Sequence, residues 1–269
     1  MVASQYWGRG PRVTENSSAS GGTGLPASIE AAWGLRDRPV KGPKPGLTLD
    51  RIVAAAVSVA ATEGLSAVSM GRVAKELGAS TMSLYRYVSA KEELYVLMQE
   101  AALGTPPPLS EAEEQAGWRE ALSRWAWSQR RMFQQNLWSL RIPIGGPPAS
   151  PHMVLWWERG LHALRDSGLS SGEKISVILL VSGYVRNEAT LMSDIAAAVE
   201  EKGVSAEEFM ARWERTVRRL VDPALHPELA GLLDTGIMSE PDEPDYEFVF
   251  GLERILDGVD ALIEKGSPS

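Results

Sequence analysis

Three residues, Gly78-Ala79-Ser80, separate two short segments that both have helical spacing. The first opens at Ser69, whose hydroxyl suits an N-cap, and carries Val73, Ala74 and Leu77. The second is capped by Ser80 and is expected to run from Thr81 to Val88, with Leu84 and Val88 facing inward. A longer amphipathic segment precedes them. Thr48 caps it, Ile52, Val53, Ala56, Val57 and Ala60 form its apolar face, and Gly64 stops it. A supporting helix followed by two short helices with a tight glycine turn is the grammar of a helix-turn-helix. The same spacing also fits a three-helix bundle that never touches DNA.

The outward residues of the segment after Ser80 separate these readings. They are Thr81, Met82, Ser83, Tyr85, Arg86 and Tyr87. Hydroxyls, aromatics and a guanidinium can bond phosphates, read base edges or pack on a thymine methyl. A merely solvated helix would carry Glu and Lys there. Charge distribution points the same way. The net charge is −8, yet residues 36–91 carry nine Lys/Arg and four acids, whereas residues 104–269 carry 16 Lys/Arg and 26 acids. A basic module on an acidic body suggests that one part alone meets DNA.

Periodicity elsewhere is helical, with no alternating strand pattern and no internal repeat, so the expected class is all-α. Residues 1–46 are rich in Gly, Ser and Pro and read as a disordered tail ending in a basic arm, Arg36 to Lys44, held extended by prolines. Residues 47–103 form the first domain, the prolines of 104–110 a linker, and residues 111–265 a larger second domain. There are no cysteines, which excludes disulfides, thiolate metal sites and cysteine nucleophiles. The three histidines, His152, His162 and His226, show no metal-ligand spacing, so no metal and no cofactor are expected. No apolar run is long enough to span a membrane and no signal-peptide core is present, so a cytoplasmic location without membrane partners is expected.

Residues 47–103 resemble the DNA-binding domain of the TetR family of bacterial repressors. The resemblance rests on Val73-Ala74-Lys75-Glu76-Leu77-Gly78, then Ser83-Leu84-Tyr85-Arg86-Tyr87-Val88, then Lys91-Glu92-Glu93-Leu94. It implies an all-α homodimer whose second domain binds a small molecule and thereby releases double-stranded operator DNA. It also implies DNA contacts by Thr81, Met82, Ser83, Tyr85, Arg86 and Tyr87, and phosphate contacts by Ser69 and Lys91. Where the founding tetracycline repressor has a base-reading arginine on the second helix this chain has Gly71, and the adjacent Arg72 is a candidate for phosphate instead.

The second domain reads as helices over about 113–138, 152–167, 171–202, 205–220 and 245–265. It is similar to the tetracycline-repressor type of C-terminal domain in Trp157-Glu158-Arg159-Gly160-Leu161-His162-Ala163-Leu164, Gly168-Leu169-Ser170, Gly183-Tyr184-Val185 and the segment 250–259. That likeness implies a dimer bundle of helices 171–202 and 245–265, with Ile178, Phe248, Leu252, Ile255, Val259 and Leu262 at the interface. Six of the nine tryptophans fall between Trp118 and Trp157, which for one helical domain suggests a cavity as well as a core. Trp125, Trp138, Trp157 and Tyr184 are the candidate pocket aromatics, with Arg186, Asn187 and Glu188 as polar anchors. The founding repressor holds a magnesium–drug chelate with a pocket-loop histidine, and residues 140–148 contain none. An enzyme using the same cavity is the competing reading, but GxSxG, P-loop, GxGxxG and HExxH patterns are all missing. An architectural DNA-binding protein without a ligand is a third, and it would not need the tryptophans.

Overall fold

The structure, a computed structural model, describes residues 25–35, 47–146, 149–239, 243 and 245–266. The basic arm, Arg36 to Lys44, lies outside the described residues. Every regular element among those residues is helical.

The local chemistry that announces the first domain is in place. Helix α2 (Leu49–Glu63) begins with the Thr48 hydroxyl accepting from the Arg51 amide and ends at Gly64, whose φ of 83° favours glycine. Ser69 caps α3 (Met70–Glu76) in the same way, Gly78 turns the chain at φ 62°, and Ser80 caps α4 (Thr81–Leu84). Helix α4 is shorter than its spacing suggests. After one turn the amides of Tyr87 and Val88 both bond Leu84 O, so residues 85–87 close as turns. Helix α5 (Lys91–Leu103) packs along α2. Ile52, Val59, Leu84, Val88, Leu94 and Met98 are fully buried between them.

Two segments expected elsewhere join this core. Residues 27–32, assigned to the disordered tail, form the short helix α1 (Ala27–Ala32), which buries Ala31 against α5. The Trp33 indole donates to Ala149 O at 2.7 Å and pins its end. Glycine and serine around this stretch mask a short apolar run, Ile29-Glu30-Ala31-Ala32-Trp33, that is sufficient to dock. Trp138 and Ile142 come from beyond the linker, on and beside a 3-10 turn (Leu137–Arg141), and are buried in the same core. Arg186 holds that turn by donating to Leu140 O at 2.7 Å and Ile142 O at 3.0 Å.

The second core lies among α7 (Trp118–Gln135), α8 (Pro151–Ala163), α9 (Ser171–Lys202) and α12 (Tyr246–Gly266). The stretch 113–138 is therefore not one helix. A single turn, α6 (Glu111–Glu114), precedes α7, and the chain breaks at Gly117 and Asn136. Helix α9 matches its expected bounds, opened by a reciprocal Ser170–Glu173 capping box and closed by Gly203 in the left-handed region. Helix α10 (Ala206–Leu220) is followed by turns around His226 and then by α11 (Pro227–Asp234), a short helix that the expected set of five does not include.

The expected dimer stripe requires correction. Ile178, Phe248, Leu252 and Val259 are almost completely buried inside the protomer's own second core, and Ile255 packs against it; Leu262 remains exposed. Apolar 4-and-3 spacing shows that a helix packs, not on which chain. Apart from Leu262, the large apolar residues these helices leave in solvent are outside that stripe, among them Leu179, Leu180 and Leu191 on α9 and Val249 and Phe250 on α12.

Buried charge ties this bundle together. The Arg130 guanidinium on α7 meets Glu188 on α9 at 2.9 Å and Asp245, just before α12, at 2.6 Å. It also lies over the Phe248 ring, 4.5 Å from its centroid. Burial opposes the Arg130 charge, and the two carboxylates outweigh that cost, so its pKa is raised.

Gly160 lets α8 approach α7. A Cβ there would stand 2.7 Å from Trp125 Cζ2 and 3.1 Å from Ile178 Cγ2. Replacing a mid-helix glycine with alanine gains about 1 kcal/mol of helix propensity, whereas overpacking a filled core costs about 1–3 kcal/mol. The Trp125 indole cannot easily retreat, because it donates to Trp156 O at 2.9 Å. Gly160→Ala is therefore expected to be net destabilising, with a lower urea midpoint at unchanged m-value. A midpoint at or above wild type would contradict the close packing.

Candidate functional site: a recognition helix and a cleft behind its supporting helix

The DNA-facing candidates divide by environment. Met82 is 75% exposed and Tyr85 46%, and Arg86 is also open to solvent, so these three form the outward tip of α4 and its turn. Thr81 and Ser83 are half-buried beside them, with the Ser83 hydroxyl 2.7 Å from that of Ser80. Tyr87 turns partly inward and packs on the first core. Ser69 is exposed, and its oxygen already accepts from the Arg72 amide. Lys91 opens α5 with its ammonium over the Tyr95 ring. Arg72, the further phosphate candidate, is held by two acids of its own protomer. Its guanidinium pairs with Glu63 at 2.6 Å and Glu76 at 2.8 Å, and these hydrogen bonds raise its pKa.

Helix α5 begins at that surface with Lys91, packs along α2, and is gripped at its far end by α8. The grip is reciprocal at Glu100 and His152. Ser150 makes no side-chain cap for α8; instead the Glu100 carboxylate accepts from the His152 amide at 2.6 Å. In return, His152 Nδ1 lies 2.9 Å from Glu100 O. A carbonyl can only accept, so Nδ1 carries the proton in this contact. One turn on, the Trp156 indole donates to Gly104 O at 3.0 Å, and another turn on, Arg159 donates to Pro107 O at 2.9 Å. Residues 152, 156 and 159 form one stripe of α8 and meet successive points of the end of α5 and the proline linker.

Beside that grip is a cleft of about 340 Å³, within the range of small-molecule sites. Pro106, Pro107 and Pro108 form one side; Trp125, Trp127, Ser128 and Arg131 of α7 form another; Trp156 and Arg159 of α8 complete it.

The residues expected to line a pocket do not converge on it. Trp125 lines the cleft. Trp138 belongs to the first core, because the chain leaves α7 at Asn136 and turns toward α2. Trp157 packs on the second core on the helix side away from Trp156. The Tyr184 hydroxyl donates to Glu247 O and Phe248 O at 2.9 and 3.0 Å. Arg186 and Glu188 are occupied by the structural contacts above, and Asn187 is exposed. The cleft residues Trp127, Ser128, Arg131, Trp156 and Arg159 were not among the candidates. Their signal was positional: Arg124, Ser128 and Arg131 share one face of α7, as His152, Trp156 and Arg159 do on α8.

Among the described residues no cluster of His, Asp or Glu could hold a metal ion, and no helix is long and apolar enough to cross a membrane.

Comparison with known proteins agrees with both halves. The model of "Bacterial regulatory proteins, tetR family" matches residues 52–98, and that of "Tetracyclin repressor-like, C-terminal domain" matches residues 110–263. The HTH-type transcriptional repressor DrrR1 of Streptomyces coeruleorubidus is 35% identical over 266 residues, which span 93% of this chain and 95% of that protein. Apo ActR of Streptomyces coelicolor superposes with a TM-score of 0.63 at 28% identity, covering 82% of this chain and 99% of ActR. ActR in complex with actinorhodin gives 0.63 at 30% identity, covering 81% and 97%. A capped helix-turn-helix with an exposed reading tip, joined to a helical domain with a cleft, thus coincides with relatedness along nearly the whole chain: it belongs to the TetR family of ligand-responsive, DNA-binding transcriptional repressors.

Proposed function

We propose that this repressor binds its operator as a homodimer, through Met82, Tyr85 and Arg86 of each recognition helix, and is released when an aromatic molecule enters the cleft under Pro106–Pro108. The observation that carries this reading is the α8 stripe. Trp156 and Arg159 line the cleft and, together with His152, hold the end of α5 and the linker. A molecule wedged between the prolines and α8 competes for those contacts. It shifts α5, and with it the spacing of the two recognition helices, by as much as its affinities for the two arrangements differ. The ActR complexes with (S)-DNPA and actinorhodin support a small-molecule effector for this branch of the family. As a regulator of DNA, it acts in the cytoplasm.

The dimer face is assigned to the apolar residues that the protomer leaves open on α9 and α12. Leu179, Leu180 and Leu191 are each more than half exposed and Phe250 is 49% exposed. Gly183 and Gly258 on the same exposed sides allow close helix approach.

A gel shift on DNA flanking the protein's own gene tests the operator reading. Arg86→Ala should weaken operator binding by about 5- to 150-fold, the worth of one good base contact. Binding should fall steeply with salt. An Arg86→Ala protein that binds like wild type would remove the recognition-tip assignment. In the same assay a metabolite extract that releases wild-type protein should fail on Ser128→Trp, which fills the cleft; release that survives places the effector elsewhere.

For the dimer, Leu180→Glu combined with Phe250→Glu should give helical monomers by light scattering and a loss of operator affinity greater than about tenfold, because two half-sites are read together. A dimer unaffected by both changes would contradict the assignment.

A further inference from the structure

The cleft has a sign as well as a shape. Its walls carry three arginines, Arg124, Arg131 and Arg159, against one carboxylate, Glu113. This occurs in a domain whose residues 104–269 have ten more acids than Lys/Arg. The three guanidiniums are not equivalent. Arg124 is neutralised by Glu120 and by Glu113, 3.6 Å away, and also donates to Glu113 O. Glu113 is further occupied by the Ser110 cap. Arg131 and Arg159 form no ion pair among the described residues. Arg131 donates to the Ser128 hydroxyl at 3.0 Å, and Arg159 to Pro107 O. Two guanidinium forks with spare donors therefore border a cleft walled by indoles and prolines.

We infer that the cleft takes a planar aromatic carboxylate, its rings against Trp125, Trp127 and Trp156 and its carboxylate on Arg131 and Arg159. This rests on the cleft being the effector site. The physical argument compares three occupants. An uncharged aromatic gains the apolar wall but strips water from guanidiniums without replacing it. An organic cation is drawn to the indole faces but meets two like charges, Arg131 with no ion pair among the described residues and Arg159 offset only at longer range by Glu113. A carboxylate replaces the lost water with charge-assisted, planar hydrogen bonds that match the guanidinium fork, in surroundings less polar than water. The same contact couples binding to release. A carboxylate that recruits Arg159 draws it from Pro107 O, one of the points through which α8 holds the linker.

The test uses the full-length protein and a matched pair of probes, anthraquinone-2-carboxylate and its uncharged carboxamide, in calorimetric titrations. Wild type should bind the acid about 10- to 100-fold tighter than the amide, the worth of a hydrogen bond to a charged group. Arg131→Gln should lose most of the preference for the acid over the amide. Arg131 is exposed and supports no other element, so this variant leaves the fold intact. Equal binding of acid and amide by wild type would overturn the inference while leaving the cleft as effector site. A preference for the acid that survives both Arg131→Gln and Arg159→Gln would also overturn it. Failure of both probes to bind would overturn the cleft reading itself, and the anion inference with it.

Discussion

The exchange of caps between Glu100 and His152 is the interaction on which the rest of this molecule turns. A helix leaves its last carbonyls and first amides without intrahelical partners. Here the two ends supply each other: the end of α5 offers a carboxylate to the start of α8, and the start of α8 offers a ring N–H to a carbonyl of α5. The His152 ring shares the Glu100 carbonyl with the Gly104 amide, and the later carbonyls of that end, Leu103 O and Gly104 O, meet the Trp156 indole. Helix α5 also packs along α2 and under α1, and its Leu94 and Met98 share one buried core with Leu84 and Val88 at the DNA-reading turn. Trp156 and Arg159 extend the α8 contact to the linker, where the cleft begins.

A second constraint keeps the halves from moving independently. The 3-10 turn after α7 places Trp138 and Ile142 in the first core, and Arg186 of α9 holds the backbone of that turn. The covalent linker is thus not the mechanical boundary. The halves share buried aromatic surface on one side and polar helix-end contacts on the other. On the proposed reading, a ligand in the cleft acts on the polar side, where a competitor for hydrogen bonds can enter.

Much of the fold was legible because its signals are local. Thr48, Ser69 and Ser80 cap the helices they announced, and Gly64 and Gly78 take the positive φ that made them stops. What the sequence did not disclose is which surfaces meet across long separations. The Phe248, Leu252 and Val259 stripe was real but faces the protomer's own core. Arg186 and Glu188 looked like ligand anchors because their partners are the backbone of 140–142 and Arg130, distant in sequence. Trp138 was counted with its neighbours, although the break at Asn136 sends it to the other core. Conversely, the cleft arginines lie on two amphipathic helices, Arg124 and Arg131 on α7 and Arg159 on α8, where arginine ordinarily signals only a solvated face. Their meaning appears when α8 and the prolines are placed opposite.

On the proposed reading, the α8 grip on α5 sets the position of the recognition helices. Because the chain has no cysteine, Lys75→Cys gives one spin label per protomer, on α3 beside the reading turn. Pulsed electron–electron resonance then measures the distance between the two labels of the dimer. The account predicts that Glu100→Ala with Trp156→Phe, in protein that keeps wild-type circular dichroism, shifts and broadens that distance distribution without any ligand. Distributions that superimpose on those of the parent protein would contradict it.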